Sequence, residues 1–125
     1  MDLNSVLIGT EDPQRLAAFY TSLFGEPTWE AEGYTTWQIG SGWLTVGFHD
    51  AVKGSNPAPG RLIWNIETPD VAAEFERMKA AGATVIAEPY QMGEDSDELN
   101  ASIATFADPD DNYFQLLSPM PEQGA

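Results

Sequence analysis

The sequence predicts an α+β fold made of two tandem βαβββ modules. Three observations carry that reading: a strand–helix–strands order that occurs twice, helices marked by apolar positions three and four apart, and glycines where the chain must reverse. In the first module, Leu3 to Gly9 is a short apolar run that ends at Thr10-Glu11-Asp12-Pro13. There Thr10 or Asp12 can cap a helix, and Pro13 suits its first turn. From Gln14 to Phe24 the residues Leu16, Phe19, Tyr20, Leu23 and Phe24 mark one buried helix face, which Gly25 ends. Three strands follow, at about Thr28 to Glu32, Tyr34 to Ile39 and Trp43 to His49, with Gly33 and Gly40-Ser41-Gly42 at the reversals.

Lys53 to Gly60 has the proline, glycine, serine and asparagine content of a linker. The pattern then restarts. Leu62 to Glu67 reads as a strand, Thr68-Pro69-Asp70 as a helix start, and Val71, Phe75 and Met78 as a helical stripe ended by Gly82. Strands at about Thr84 to Glu88 and Ser102 to Ala107, the turn Asp108 to Asn112 and a last strand from Tyr113 to Leu117 complete the second module. The acidic segment Gly93 to Leu99 reads as a mobile loop, and the tail from Ser118 as frayed. The halves align at an offset of 56, with Pro13 on Pro69, Ala17 on Ala73 and Phe19 on Phe75. The expectation is one domain over residues 1–125, with module one at about 1–50, a linker at about 51–60 and module two at about 61–118.

Composition removes several function classes. The chain has 125 residues and no cysteine, so disulfide frameworks, thiolate metal sites and thiol nucleophiles are excluded. Twenty acidic against five basic residues give a formal charge of −15, which repels nucleic acid and anionic membrane surfaces. That excess is either a solvating coat or an attraction for a cationic ligand. With no membrane-spanning apolar stretch and no signal-peptide pattern at Met1-Asp2-Leu3-Asn4, the expected location is cytoplasmic.

Two segments resemble the vicinal oxygen chelate superfamily, which includes glyoxalase I, extradiol dioxygenases, fosfomycin-resistance enzymes and bleomycin-resistance binding proteins. Asp12 to Gly25, with its Phe19-Tyr20 pair, is similar to the family's opening helix. Phe106-Ala107-Asp108-Pro109-Asp110-Asp111-Asn112-Tyr113-Phe114-Gln115-Leu116 is similar to its last hairpin, and is the more specific of the two. The resemblance implies a cup-shaped mixed sheet with the helices outside and a small molecule inside. It also implies a homodimer.

Strand alternation then places Ser5, Leu7, Trp43, Thr45, Gly47 and His49 inward, along with Arg61, Ile63, Asn65, Tyr113, Gln115 and Leu117. Where metal-dependent members of the family carry His or Glu ligands, the resemblance places Ser5, Thr45, Arg61 and Gln115. A hydroxyl or an amide is a poor ligand for such ions, and a guanidinium none at all. The expectation is therefore no metal and no cofactor. The candidate ligand-binding residues are Ser5, Trp43, Thr45, His49, Arg61, Asn65, Tyr113 and Gln115, with no catalytic residue identified. Trp29, Tyr34 and Trp37 are open between core and stacking surface. His49, the only histidine, is open between a rim general base and a solvent-facing strand end. Arg61 is open between a structural ion pair and a clamp on an anionic ligand group. The leading function is a metal-independent small-molecule binder, sequestering a cationic or aromatic compound. The alternatives are a metal-dependent lyase or isomerase of the glyoxalase type with a non-standard ligand set, and an interaction or regulatory module.

Overall fold

The structure, a computed structural model, describes residues 1–92 and 101–119. Among these, the first half of the chain forms β1 (Ser5–Thr10), α1 (Pro13–Phe24), β2 (Trp29–Ala31), β3 (Tyr34–Ile39) and β4 (Gly42–Phe48). A 3₁₀ turn at Pro59–Arg61 precedes β5 (Trp64–Glu67), α2 (Val71–Ala80), β6 (Thr84–Met92), β7 (Ala101–Ala107) and β8 (Tyr113–Leu117). The strands make two mixed sheets, ordered β1-β4-β3-β2 and β5-β8-β7-β6. In each, the module's first strand runs parallel to its last and the remaining pairs are antiparallel. This is the α+β class and the duplicated order that the sequence predicts. The chain divides into two compact units, Met1–Pro57 with Pro109–Asp111, and Ala58–Asp108 with Asn112–Ala125.

In the first unit, Asp12 caps α1 by accepting the Arg15 N–H at 3.2 Å, and Pro13 occupies the first helical position, where no N–H is needed. Leu16, Tyr20 and Leu23 are buried against Ile8, Leu44 and Val46 of the sheet. Gly25 ends the helix at φ +84°, a conformation that strains any residue with a Cβ, and its N–H reaches Thr21 O at 2.8 Å. Trp37, 1% exposed, donates its indole N–H to Gly25 O at 3.0 Å and fastens the helix end to β3.

The same unit includes the turn Pro109–Asp111. Buried Asp110 accepts the Thr10 hydroxyl at 2.6 Å and Arg15 Nη1 at 3.1 Å, while Arg15 Nη2 donates to Pro109 O at 2.8 Å. The Asp110 carbonyl takes the Asn56 N–H at 2.8 Å. A buried carboxylate without such donors is costly, and here both oxygens have one.

In the second unit, Asp70 caps α2 through the Ala73 N–H at 3.0 Å, and Val71, Phe75 and Met78 are buried. The core there is a run of rings, with Phe75 stacked on Phe106 (centroids 5.2 Å), Phe106 on Phe114 (5.6 Å) and Phe114 on Trp64 (5.6 Å). Asp108 accepts the Asn112 N–H at 3.0 Å and closes the approach to β8.

Five expectations need adjustment. The first and fifth strands start two residues later than their apolar runs, at Ser5 and Trp64. The linker ends in the 3₁₀ turn rather than being wholly irregular. The sixth strand runs on to Met92 past Pro89, because register shifts between Val85 and Ala87 and between Ala87 and Tyr90 absorb the interruption. The Gly93 to Leu99 loop, and the part of the tail beyond Pro119, lie outside the described residues, while Ser118, where fraying was expected to begin, is held to β7 by its N–H to Ser102 O at 3.1 Å and by the Ser102 N–H to its hydroxyl at 2.8 Å.

The fifth adjustment is the repeat offset, which is 58 rather than 56. Thr10 and Thr68 each accept the N–H of the cap residue two positions on (3.0 and 3.2 Å), and those caps are Asp12 and Asp70. Pro13 follows its cap whereas Pro69 precedes its own, so aligning the prolines displaces the halves by two residues.

Asp110→Ala is expected to destabilise the protein by about 2–3 kcal/mol, since it removes the charged acceptor of two donors, one of them buried. Arg15→Ala, which removes a half-exposed partner, should cost about 1 kcal/mol or less. Urea unfolding of both variants checks the order, and equal midpoint shifts would contradict it.

Candidate functional site

Each sheet has one face under its helix and one face free of it. In the first unit, Val6, Ile8, Leu44, Val46 and Trp37 point to α1. The opposite set begins with Ser5, Leu7 and Gly9 on β1, paired with Trp43, Thr45 and Gly47 on β4. Tyr34, Thr36 and Gln38 continue it on β3, and Trp29 and Ala31 on β2. Of the predicted site residues, Ser5, Trp43 and Thr45 stand together on this helix-free face, and His49 follows β4 at its end. Ser5 and His49 are exposed, while Trp43 and Thr45 are half-buried. The Thr45 hydroxyl shares a 3.0 Å hydrogen bond with Thr36. The three aromatics left open by the sequence separate here: Trp37 is core, whereas Trp29 and Tyr34 are 58% and 42% exposed on the free face.

In the second unit, Trp64, Ile66, Phe114, Leu116 and Phe106 form the helix-covered set. Asn65, Tyr113 and Gln115 fall on the other face with Glu67, Leu117, Ile103 and Thr105. Asn65 is the register partner of Gln115, and Gln115 Nε2 donates to the Thr105 hydroxyl at 2.9 Å. This bond and the Thr36–Thr45 pair occupy corresponding places, because Leu7 pairs with Thr45 as Asn65 pairs with Gln115, and Leu7 and Asn65 are 58 apart. Thr36 and Thr105 were not among the candidates, since nothing in the sequence gives the hairpin register that sets them opposite Thr45 and Gln115.

Arg61 requires a correction. It ends the 3₁₀ turn, before β5 begins, and is exposed, so strand alternation does not govern it. It makes no ion pair among the described residues. With the offset at 58, the counterpart of Ser5 is Ile63. The positions at which the family resemblance implies metal ligands therefore read Ser5 and Thr45 in one unit and Ile63 and Gln115 in the other. An isoleucine has no donor atom, the Thr45 hydroxyl is engaged with Thr36, and the Gln115 amide is neutral. Neither pair fits a divalent ion. Among the described residues no group of three His, Asp or Glu side chains converges elsewhere.

On the helix side of the first unit, an open groove of about 660 Å³ runs between α1 and the β2–β3 hairpin. Pro13, Gln14, Ala17, Ala18 and Thr21 line one wall, and Glu30 to Thr35 the other. None of the predicted site residues reaches it.

A family model described as a glyoxalase-like domain matches residues 5–117. The chain belongs to this family. Solved structures agree on the fold of the glyoxalase-like domain. A glyoxalase/bleomycin resistance protein/dioxygenase family enzyme from Burkholderia phytofirmans PsJN is 22% identical, with 96% of this chain and 100% of that one covered at a TM-score of 0.71. A glyoxalase/bleomycin resistance protein/dioxygenase from Alicyclobacillus acidocaldarius is 15% identical, with 96% and 92% covered at 0.74. TioX from Micromonospora sp. ML1 is 16% identical, with 96% and 100% covered at 0.69. No curated protein matches the sequence. Among the described residues of the glyoxalase-like domain, no helix is long and apolar enough to cross a membrane.

The separation of the tryptophans is measurable. Trp29→Phe is expected to lower the acrylamide-quenchable emission, and Trp37→Phe to leave quenching nearly unchanged while lowering stability by about 1–3 kcal/mol through its lost hydrogen bond and packing. Quenching that falls with Trp37→Phe would contradict the assignment of the two faces.

Proposed function

We propose that this glyoxalase-like domain is a metal-independent small-molecule-binding protein of the glyoxalase/bleomycin-resistance type, which holds a cationic or aromatic compound on its helix-free sheet faces. The observation that carries the reading is the donor chemistry of each face, Ser5 and Thr45 in the first unit and Ile63 and Gln115 in the second, which offers hydroxyls, an alkyl chain and an amide where Lewis-acid chemistry needs carboxylate or imidazole. What the first unit's face can give a ligand is apolar and aromatic surface from Leu7, Trp29, Tyr34 and Trp43 with a few hydrogen-bonding groups, the usual composition of a small-molecule site. The formal charge of −15 favours a cation over an anion as the ligand. The family resemblance extends the proposal to a cytoplasmic homodimer, which sedimentation at micromolar concentration tests.

Calorimetry with Zn²⁺, Mn²⁺ and Ni²⁺, beside a thermal-shift screen of cationic and aromatic compounds with and without EDTA, tests the function. The expected outcome is a compound that raises the melting temperature equally with and without chelator. A stoichiometric divalent-ion site, or an isomerase or lyase activity that appears with metal and vanishes with EDTA, would overturn the proposal in favour of the metal-dependent enzyme.

A further inference from the structure

We propose that Tyr34 and His49 form a platform on the first unit's helix-free face that selects planar aromatic molecules carrying a carbonyl acceptor and no negative charge. The inference rests on the reading of that face as a ligand surface and goes further by assigning the residues and the ligand class. Its starting point is a pair of glycines. Gly9 and Gly47 are register partners on β1 and β4, within a sheet where glycine weakens the strand unless something must approach the backbone closely. Something does at both positions. A Cβ on Gly47 would overlap Cδ1 and Cε1 of Tyr34, so the phenol ring lies across the strand where a side chain would otherwise stand. A Cβ on Gly9 would sit 2.8 Å from the Cβ and 3.4 Å from the Cγ of His49, with Cγ2 of Val52 also at 3.4 Å. Neighbouring strands are about 4.8 Å apart, so the phenol and the imidazole cover adjacent places on the sheet. Tyr34 nevertheless remains 42% exposed and the His49 side chain 55%, which leaves both available on the outer side.

His49 is also held, unlike an ordinary exposed histidine. Its N–H donates to Thr10 O at 3.1 Å, its carbonyl accepts the Val52 N–H at 3.1 Å, and its Nδ1 accepts the Ala51 N–H at 3.1 Å. A backbone N–H can only donate, so Nδ1 carries the lone pair and the neutral ring has its proton on Nε2. The carboxylate of Asp50, 92% exposed, lies 3.6 Å from the same Nδ1, beyond hydrogen-bond distance. The neutral ring of His49 therefore offers an N–H donor at Nε2 rather than a general base. Beside it the Tyr34 ring offers a flat stacking surface, with Trp29 exposed on the adjoining strand. A donor next to a stacking surface recognises an acceptor at the edge of a planar ring system, and the charge of the chain disfavours an anionic one.

Fluorenone and fluorene are suitable probes, being planar tricycles that differ by the carbonyl. Binding is measured by calorimetry on the full chain, and the imidazole tautomer by long-range ¹H–¹⁵N correlation. The expected result is fluorenone binding about tenfold tighter than fluorene, with the His49 proton on Nε2. His49→Phe should erase that preference, while His49→Gln, which keeps an N–H donor, should retain part of it. Tyr34→Ala should weaken both probes about fivefold or more, with circular dichroism and melting temperature confirming that the variants fold. A preference that survives His49→Phe, affinity indifferent to Tyr34→Ala, the opposite tautomer, or no binding of fluorenone by the wild type would each overturn the platform. Binding that ignores both substitutions but survives EDTA would overturn the platform while leaving the metal-independent function standing. A stoichiometric metal site would remove the function itself.

Discussion

A single helix laid against a four-stranded sheet covers only one of its two faces, and that constraint organises this molecule twice. Because strand side chains alternate, each strand must divide its residues into a set that packs on the helix and a set that does not. Ile8, Leu44, Val46 and Trp37 form the packed set of the first unit, while Phe106, Phe114 and Leu116 form that of the second, all 8% exposed or less. Packing to near-crystalline density leaves those positions no freedom for chemistry. On the sheets themselves, residues able to meet a ligand are consequently the alternate positions, and the composition of that second set, rather than the fold, bears on what those faces can do.

The duplication is a matter of local hydrogen bonding more than of shared residues. In both modules a threonine hydroxyl receives the N–H of an aspartate that in turn caps the helix, so each strand enters its helix through the same Thr-x-Asp geometry. Proline is permitted both just before and just after such a cap. Pro69 uses one place and Pro13 the other, which is how a sequence comparison anchored on them slips by two residues. That slip has a chemical consequence, since it exchanges an arginine for an isoleucine as the counterpart of Ser5. Both readings leave the position without a metal ligand, but only the structural one removes the positive charge from it.

Most of the fold was legible in the sequence. The bounds Tyr34 to Ile39 and Tyr113 to Leu117 agree with the structure because alternation and turn residues mark both ends. The sixth strand was underestimated because Pro89 reads as a stop, and only the pairing with β7 reveals the irregularity that carries the strand past it. The candidate faces were legible only in part. Alternation placed Ser5, Thr45, Asn65 and Gln115 correctly on the helix-free sides, yet it could not say which of Trp29, Tyr34 and Trp37 is core. That depends on the register between β2, β3 and β4, which many residue pairs jointly determine. The contacts of Asp110 with Thr10 and Arg15, 100 and 95 residues away, leave no mark that a single sequence could reveal.

The same register accounts for the limited chemistry of the faces. Thr45 is opposite Thr36, and Gln115 is opposite Thr105, so the polar groups nearest the expected ligand positions are bonded to their cross-strand neighbours. A metal would have to draw these groups out of existing hydrogen bonds and would gain only neutral oxygens in return, a poor exchange for an ion that must also shed its water. An aromatic ligand makes no such demand. On the proposed reading, dispersion and the release of water from Trp29, Tyr34 and Leu7 would leave the threonine pair intact, and the Ser5 hydroxyl and the imidazole of His49 would be free to orient a ligand. On the proposed reading, the cross-strand hydrogen bonds would thus weigh between two kinds of occupant, against the one that needs charge and for the one that needs surface.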